Sequence, residues 1–367
     1  MNKGVTLGIL FLCIFPTYAV EFSLYGDVRA RWSNLKSEAS SFQIGALDLF
    51  SSQSIGENSS LFVELLLEPD ESHFVLDVER MFLQKQVKPW LQIGMGRMHS
   101  PFSFWNSNYH HGVIQDTISR PLLLQLDNGL EGMIPNHAVG LSLSGSQGLN
   151  DVFVYYHAVV SNSPSIDSSE FFQQGFTSLR VDNYQDVANS KTTLARFAFL
   201  QQQGVWQLGL SWMQTNVFES GNALTNLSAL DFGSVIFQKQ LVALDIRLSK
   251  PSAYIMAEWV QHTSQANFYH ATLAPVFDSR QARYFYVQLG LRFWHRFTPV
   301  YRFEQLVSQP DNAYLNMRGI NPQIQHIATL SYELAANSAI RLEYNVSQSN
   351  TVRTKRRLSL QWYVLLF

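Results

Sequence analysis

From Glu21 onward the chain alternates apolar and polar residues with a period of two, often enough to set the architecture. Across residues 24–32 the even positions are apolar or small, while Asp27, Arg29 and Arg31 fall on the other face. The same split sets Phe197 and Phe199 against Arg196, Leu244 and Ile246 against Asp245 and Arg247, and Leu289 and Leu291 against Gln288 and Arg292. Further on, Tyr301 and Phe303 oppose Arg302 and Glu304, and Leu342 and Tyr344 oppose Arg341, Glu343 and Asn345. One face is oily and the other ionic. Two packed sheets of a soluble sandwich would alternate in the same way. The lengths decide otherwise: the alternating segments run about 10 to 14 residues, long for globular strands and suited to tilted membrane strands.

The pattern predicts sixteen strands, at 22–34, 43–54, 60–68, 74–86, 90–99, 137–145, 151–161, 192–202, 205–216, 240–249, 252–263, 283–295, 299–308, 324–336, 338–348 and 354–367. Totals of 14 or 18 also fit the spacing. Tight connections at 87–89, 203–204, 250–251, 296–298 and Asn337 alternate with long polar tracts at 100–136, 162–191, 264–282 and 309–323. Short turns on one side and long loops on the other are the asymmetry of a transmembrane antiparallel β-barrel, which is the all-β fold expected here. Near Arg80 and Arg97 the register slips by one, as a bulge would make it. Trp32, Trp212, Trp259 and Trp362 are expected near strand ends, where interfacial girdles sit.

Composition narrows the function classes. Of 367 residues 46% are hydrophobic, 13% aromatic and only 15% charged, a profile that argues against disorder and against a cytoplasmic enzyme. The net charge of −2 leaves no basic excess for nucleic acid. Lys3, the apolar run 5–14 and Thr17-Tyr18-Ala19 form a signal peptide over 1–19. Cys13 is the only cysteine and lies within it, so the mature chain has no thiol chemistry. No later stretch is long and apolar enough for a membrane helix; the run 61–67 is broken by Glu64. Residues 20–367 are expected to form one barrel.

The terminal run ends in Phe367, with Leu365 and Tyr363 two and four residues before it. This resembles the assembly signal of Gram-negative outer-membrane barrels, and implies an outer-membrane location and the barrel assembly machinery as a partner. The segment Gly96-Arg97-Met98-His99-Ser100-Pro101-Phe102, followed by Phe104-Trp105 and Tyr109-His110-His111, is similar to a porin-like outer-membrane family that includes relatives of phosphate-selective porins. In that family the third external loop folds into the lumen, so the resemblance makes Tyr109, His110, His111, Asp116 and Arg120 constriction residues. The chain departs from the phosphate-selective type, whose pore is rich in basic residues: lysine is scarce, and carboxylates outnumber arginine on the polar face.

A barrel of about sixteen strands leaves an aqueous channel. By parity the pore carries Arg29, Arg31, Glu64, Arg196, Arg247, Glu258, Arg292, Arg302, Glu304, Glu333, Arg341 and Glu343. They are expected to form cross-strand pairs, such as Arg341 with Glu304 or Glu333, or a transverse field that orients solutes. With both signs present, a passive channel for small hydrophilic solutes and ions with weak charge selectivity is expected. No metal site is expected of His99, His110, His111 and His137, which lack ligand spacing, and no cofactor is implied. Two alternatives stay open, an adhesin or structural barrel and an outer-membrane hydrolase. The hydrolase would have to use His99-Ser100 or His262-Thr263-Ser264, since no G-x-S-x-G or H-E-x-x-H occurs. The oily face suits outer-membrane lipid or a neighbouring barrel in a homotrimer.

Overall fold

The computed structural model describes residues 21–35, 38–70, 73–109, 115–124, 133–167, 169–170, 173, 175–180, 190–220, 235–267, 279–292, 296–349 and 354–366. Its first strands are β1 (Glu21–Ser33), β2 (Ser41–Ser54), β3 (Ser59–Asp70), β4 (His73–Lys88), β5 (Leu91–His99), β6 (His137–Leu149) and β7 (Val152–Asn162). A two-residue strand, β8 (Ser165–Ile166), lies in the following loop. The series continues with β9 (Lys191–Gln201), β10 (Trp206–Glu219), β11 (Val235–Lys250), β12 (Ala253–Ala266), β13 (Ser279–Leu291), β14 (Phe297–Ser308), β15 (Gln323–Ala335), β16 (Ser338–Ser349) and β17 (Lys355–Leu366). Two five-residue helices, α1 (Phe104–Asn108) and α2 (Ala313–Met317), belong to connections on the long-loop side.

Apart from β8, each strand pairs antiparallel with the next, β7 joining β9 directly. Strand β17 returns to pair with β1, from Leu24↔Leu366 to Ser33↔Arg357, and the sixteen long strands form a closed antiparallel barrel. The pleat separates the two faces as the alternation requires. Leu244 is 51% exposed on the outer surface while its neighbour Asp245, pointing inward, is 5% exposed. Leu208, Leu210, Ile246, Leu289, Leu342 and Leu360 extend the outer apolar belt around the barrel.

Of the local readings one holds and two need adjustment. The extra residue at Arg80 is present, since Glu64 pairs with Arg80 while Leu65 pairs with Val78, which leaves Glu79 unopposed. At Arg97 the ladder with β4 ends at Met81↔Arg97 while that with β6 runs on without a shift from Arg97↔Val139 to His99↔His137, and the irregularity is instead the backbone of Gly96, at φ +131°. A Cβ there would lie 2.1 Å from the Met81 carbonyl oxygen, so only glycine fits. Strands β10, β11 and β12 also run further toward the long loops than their alternation shows. Trp212 and Trp259 therefore sit in mid-strand rather than near strand ends, whereas Trp32 and Trp362 keep positions near theirs.

Candidate functional site in the barrel lumen

Three inward carboxylates on alternate strands, Glu258 on β12, Glu304 on β14 and Glu343 on β16, are all buried. Each accepts a backbone N–H from the segment that follows β5. Trp105 donates to Glu258 at 2.5 Å, Leu122 to Glu304 at 2.7 Å and Ile118 to Glu343 at 2.7 Å. These amides belong to no strand ladder, and leaving them buried and unpaired would cost several kcal/mol. An ionised carboxylate meets that need with a short, charge-assisted bond. Arg302 works in the opposite sense. Its guanidinium donates to Thr117 Oγ1 and to the Ser119 carbonyl, both at 2.8 Å, and lies 5.3 Å from the Trp105 ring centre. The Tyr254 hydroxyl donates to Asp116 at 2.5 Å, and the Ser103 N–H donates to Ser211 Oγ at 3.1 Å. The described part of 100–124 thus runs inside the barrel along the wall from β10 to β16.

Apolar contacts fill the space behind it. Phe102, Trp105 and Leu122 to Leu124 are buried with Met133 and Ile134 against the inward side chains of Met213, Leu241, Val260, Tyr284 and Leu306. Each fully buried side chain of this kind contributes roughly 1.5–3 kcal/mol. From β11, Lys239 Nζ donates to the Met133 carbonyl at 2.9 Å and to the Tyr314 hydroxyl at 2.7 Å. Burial pushes the Tyr314 phenol up to about 12, with Arg318 opposing, so it stays protonated while it accepts from Lys239. Arg318 donates to the Thr177 carbonyl at 2.5 Å, and Thr177 N–H donates to Met317 O at 2.7 Å. Three long connections are therefore tied together over one half of the lumen.

The other half stays open. A cavity of about 1060 Å³ lies between the docked segment and the wall formed by β15 to β17 and β1 to β4. Arg29, Arg31, Lys355, Arg357 and Arg120 line it, together with Glu38, Asp48, Glu68, Glu79 and Glu343. Glu38 pairs with Lys355 at 2.5 Å and Arg357 at 3.4 Å. Burial is the largest single effect and raises its carboxyl, but the hydrogen bond and charge of Lys355, with the charge of Arg357, together outweigh it and hold the group below the usual carboxylate range. Arg29 pairs with Asp27 and Arg80 with Glu64; Arg196 pairs with Asp245 at 2.6 Å and Arg97 with Asp77 at 3.3 Å.

Of the residues assigned to the pore by parity, Glu64, Arg196, Glu258, Arg302, Glu304, Arg341 and Glu343 are inward and buried, and Arg29, Arg31 and Arg247 are inward and half-buried. Arg292 and Glu333 differ: both are exposed at the short-turn rim, because β13 stops at Leu291 and Glu333 already bonds the turn residue Arg296. The cation on Glu304 is Arg302, at 2.7 Å; Arg341 instead donates to Gln361 and stacks over Tyr363. Tyr109 packs on Phe104 and Trp105, and burial pushes its phenol up. Asp116 and Arg120 sit in the docked segment; His110 and His111 lie outside the described residues. Tyr363 faces inward beside Tyr25, Leu365 N–H bonds Asn337 O at 2.8 Å, and Phe367 lies outside the described residues.

Parity missed Lys239, Tyr254, Tyr284 and Tyr286 as docking residues. The available signal was a strand apolar on both faces, as in Leu241-Val242-Ala243-Leu244. Neither His-Ser pair forms a nucleophile–base contact. Among the described residues the Ser100 hydroxyl makes no hydrogen bond, and Ser264 bonds Asn312 while His262, with neither ring nitrogen hydrogen-bonded there, packs on Tyr314. His137 approaches Glu79 at 2.9 Å and the His99 ring at 5.5 Å.

No protein-family model matches the chain, and no curated protein matches its sequence. Its fold, by contrast, is shared with solved outer-membrane barrels. An anion-selective porin of Comamonas acidovorans superposes with a TM-score of 0.63 at 10% identity, covering 95% of this chain and 99% of that one. OmpF of Salmonella typhi, solved with daunomycin, gives 0.60 at 11% identity over 95% and 97%. The outer-membrane channel DcaP of Acinetobacter baumannii gives 0.59 at 11% identity, again over 95% and 97%. The likeness is one of architecture: a closed antiparallel barrel of sixteen strands as in the outer-membrane porins.

Proposed function

We propose that the protein is an outer-membrane porin, a passive diffusion channel for small hydrophilic solutes and ions, with the segment 100–136 as its constriction. One observation carries the reading: a segment docked inside a closed barrel by Glu258, Glu304 and Glu343 leaves a charged, open cavity along the opposite wall. Side chains fill a small barrel, whereas one of this size holds a water path. In this reading the outer belt meets lipid or a neighbouring barrel of a homotrimer. Residues 1–19 are a cleaved signal peptide, and Tyr363, Leu365 and Phe367 address the barrel assembly machinery. Current recording from the refolded chain in a planar bilayer tests the reading, and stepwise conductance is the expected result. A closed bilayer at protein densities where a known porin opens would favour an adhesin or structural barrel.

A further inference from the structure

Counted by parity, the acidic and basic groups of the lumen offset one another. Their bonding does not. Glu258, Glu304 and Glu343 are spent on the backbone of the docked segment, and Glu304 holds Arg302 as well. Asp245 is closed by Arg196, Asp27 by Arg29 and Glu64 by Arg80. Arg31 is different. Among the described residues it lines the open cavity without an ion pair, and the charges acting on it include two cations, Arg357 and Arg29, and two carboxylates, Glu38 and Glu343. Arg247, toward the short-turn end of β11, likewise has no ion pair among the described residues: its guanidinium rests 5.8 Å from the Phe104 ring centre, and its Nε is buried with no hydrogen-bond partner there. The other carboxylates of the cavity wall are Asp48, Glu68, Glu79, which faces Arg97 and His137, and Glu38, which is held by Lys355 and Arg357, while Glu333 stands at the rim.

We propose that the channel prefers anions, and that Arg31 on the wall of the open cavity and Arg247 toward the short-turn end of β11 carry the preference. A small anion meets a cation with unused donors at each of these two positions, whereas most carboxylates that would attract a cation are already bonded. The proposal rests on the channel reading and can fail without it. Unpaired charges along a confined aqueous path raise the local concentration of counter-ions, and salt screens the effect.

The test is the reversal potential of the full-length refolded chain in a planar bilayer under a potassium chloride gradient. Chloride should permeate better than potassium, and the ratio should grow as ionic strength falls from roughly 1 M to 0.1 M, where the screening length lengthens about three-fold. The double variant Arg31→Gln/Arg247→Gln should lower the chloride-to-potassium ratio by about two-fold or more. Lys88→Gln, at the exposed short-turn end of β4, should leave it unchanged. Migration of unheated against boiled samples shows that each variant is folded. Absence of any conductance would overturn the channel reading itself. Open channels that prefer potassium, a ratio indifferent to salt, or a folded double variant with the parent's ratio would overturn the anion proposal alone.

Discussion

The backbone N–H of Ile118 donates to Oε2 of Glu343 at 2.7 Å, and the two residues are 225 apart in the chain. The same carboxylate also accepts from Ser119 N–H at 3.1 Å and from Thr329 Oγ1 at 3.0 Å. A wall residue that by sequence faces water thus acts as a receptor for the loop crossing the lumen. Glu343→Gln keeps the shape and removes the charge, which should weaken docking by about 1–2 kcal/mol. More frequent flicker in single-channel records is the expected outcome. Traces indistinguishable from the parent would show that the charge of Glu343 does not hold the loop.

Shortening the loop is the coarser version of the same experiment. Removing 103–119 takes away α1 and the groups bonded to Glu258 and Glu343, and should raise single-channel conductance. If conductance stays the same, the narrow part of the path lies elsewhere.

Gly96 and Gly204 both have positive φ, at +131° and +71°, but only one has neighbours. At Gly204 an added Cβ meets nothing within 4 Å, so Gly204→Ala should cost only about 1 kcal/mol of backbone strain. At Gly96 the same methyl would collide with the Met81 carbonyl, and Gly96→Ala should cost more than roughly 3 kcal/mol. Urea midpoints of the two refolded variants should differ in that order. Equal midpoints would mean that β4 yields to the methyl group.

How far the sequence spoke depends on which force decides a feature. The outward Leu and Phe positions and the strand order were legible, because a period of two has one physical cause, a two-sided wall. Arg196 and Asp245 could be placed inward by parity, but their pairing depends on register across three strands, β9 to β11, which parity leaves open. Arg292 and Glu333 had the right parity and the wrong depth, since strand ends are set by turn bonds such as Glu333 N–H to Arg296 O. Lys239 was invisible as a clasp. Its partners, Met133 and Tyr314, come from two distant loops, and no local pattern announces such a meeting.

Acid should sharpen the anion preference. Glu38 is a loop carboxylate held below its usual range by Lys355 and Arg357 against a raising effect of burial. A lowered carboxyl keeps its pairing at neutral pH and loses it as pH falls through the lowered value. Protonation then releases two cations at the cavity mouth. The chloride-to-potassium ratio should rise at the acid end, and Glu38→Gln should show part of that rise already at neutral pH with a flatter acid response. A variant that keeps the parent's pH profile would assign the response to another group.

Deletion of Phe367 tests the terminal signal separately from the pore. Less protein should reach the outer membrane while transfer across the inner membrane continues, as fractionation and immunoblotting would read. Undiminished insertion would remove the role given to Tyr363, Leu365 and Phe367.

The seam between β1 and β17 dictates the order of events in biogenesis. Gln361 donates to Asp27 at 2.8 Å across 334 residues, so the first strand has no outer partner until almost the whole chain has been made. Contacts this remote in sequence form slowly. Throughout that wait, β1 and whichever strand is newest present unsatisfied edges that invite pairing with other chains. A nascent polypeptide of this design must be shielded until it closes, and its lifetime as an aggregation hazard ends only when the last strand is zipped to the first.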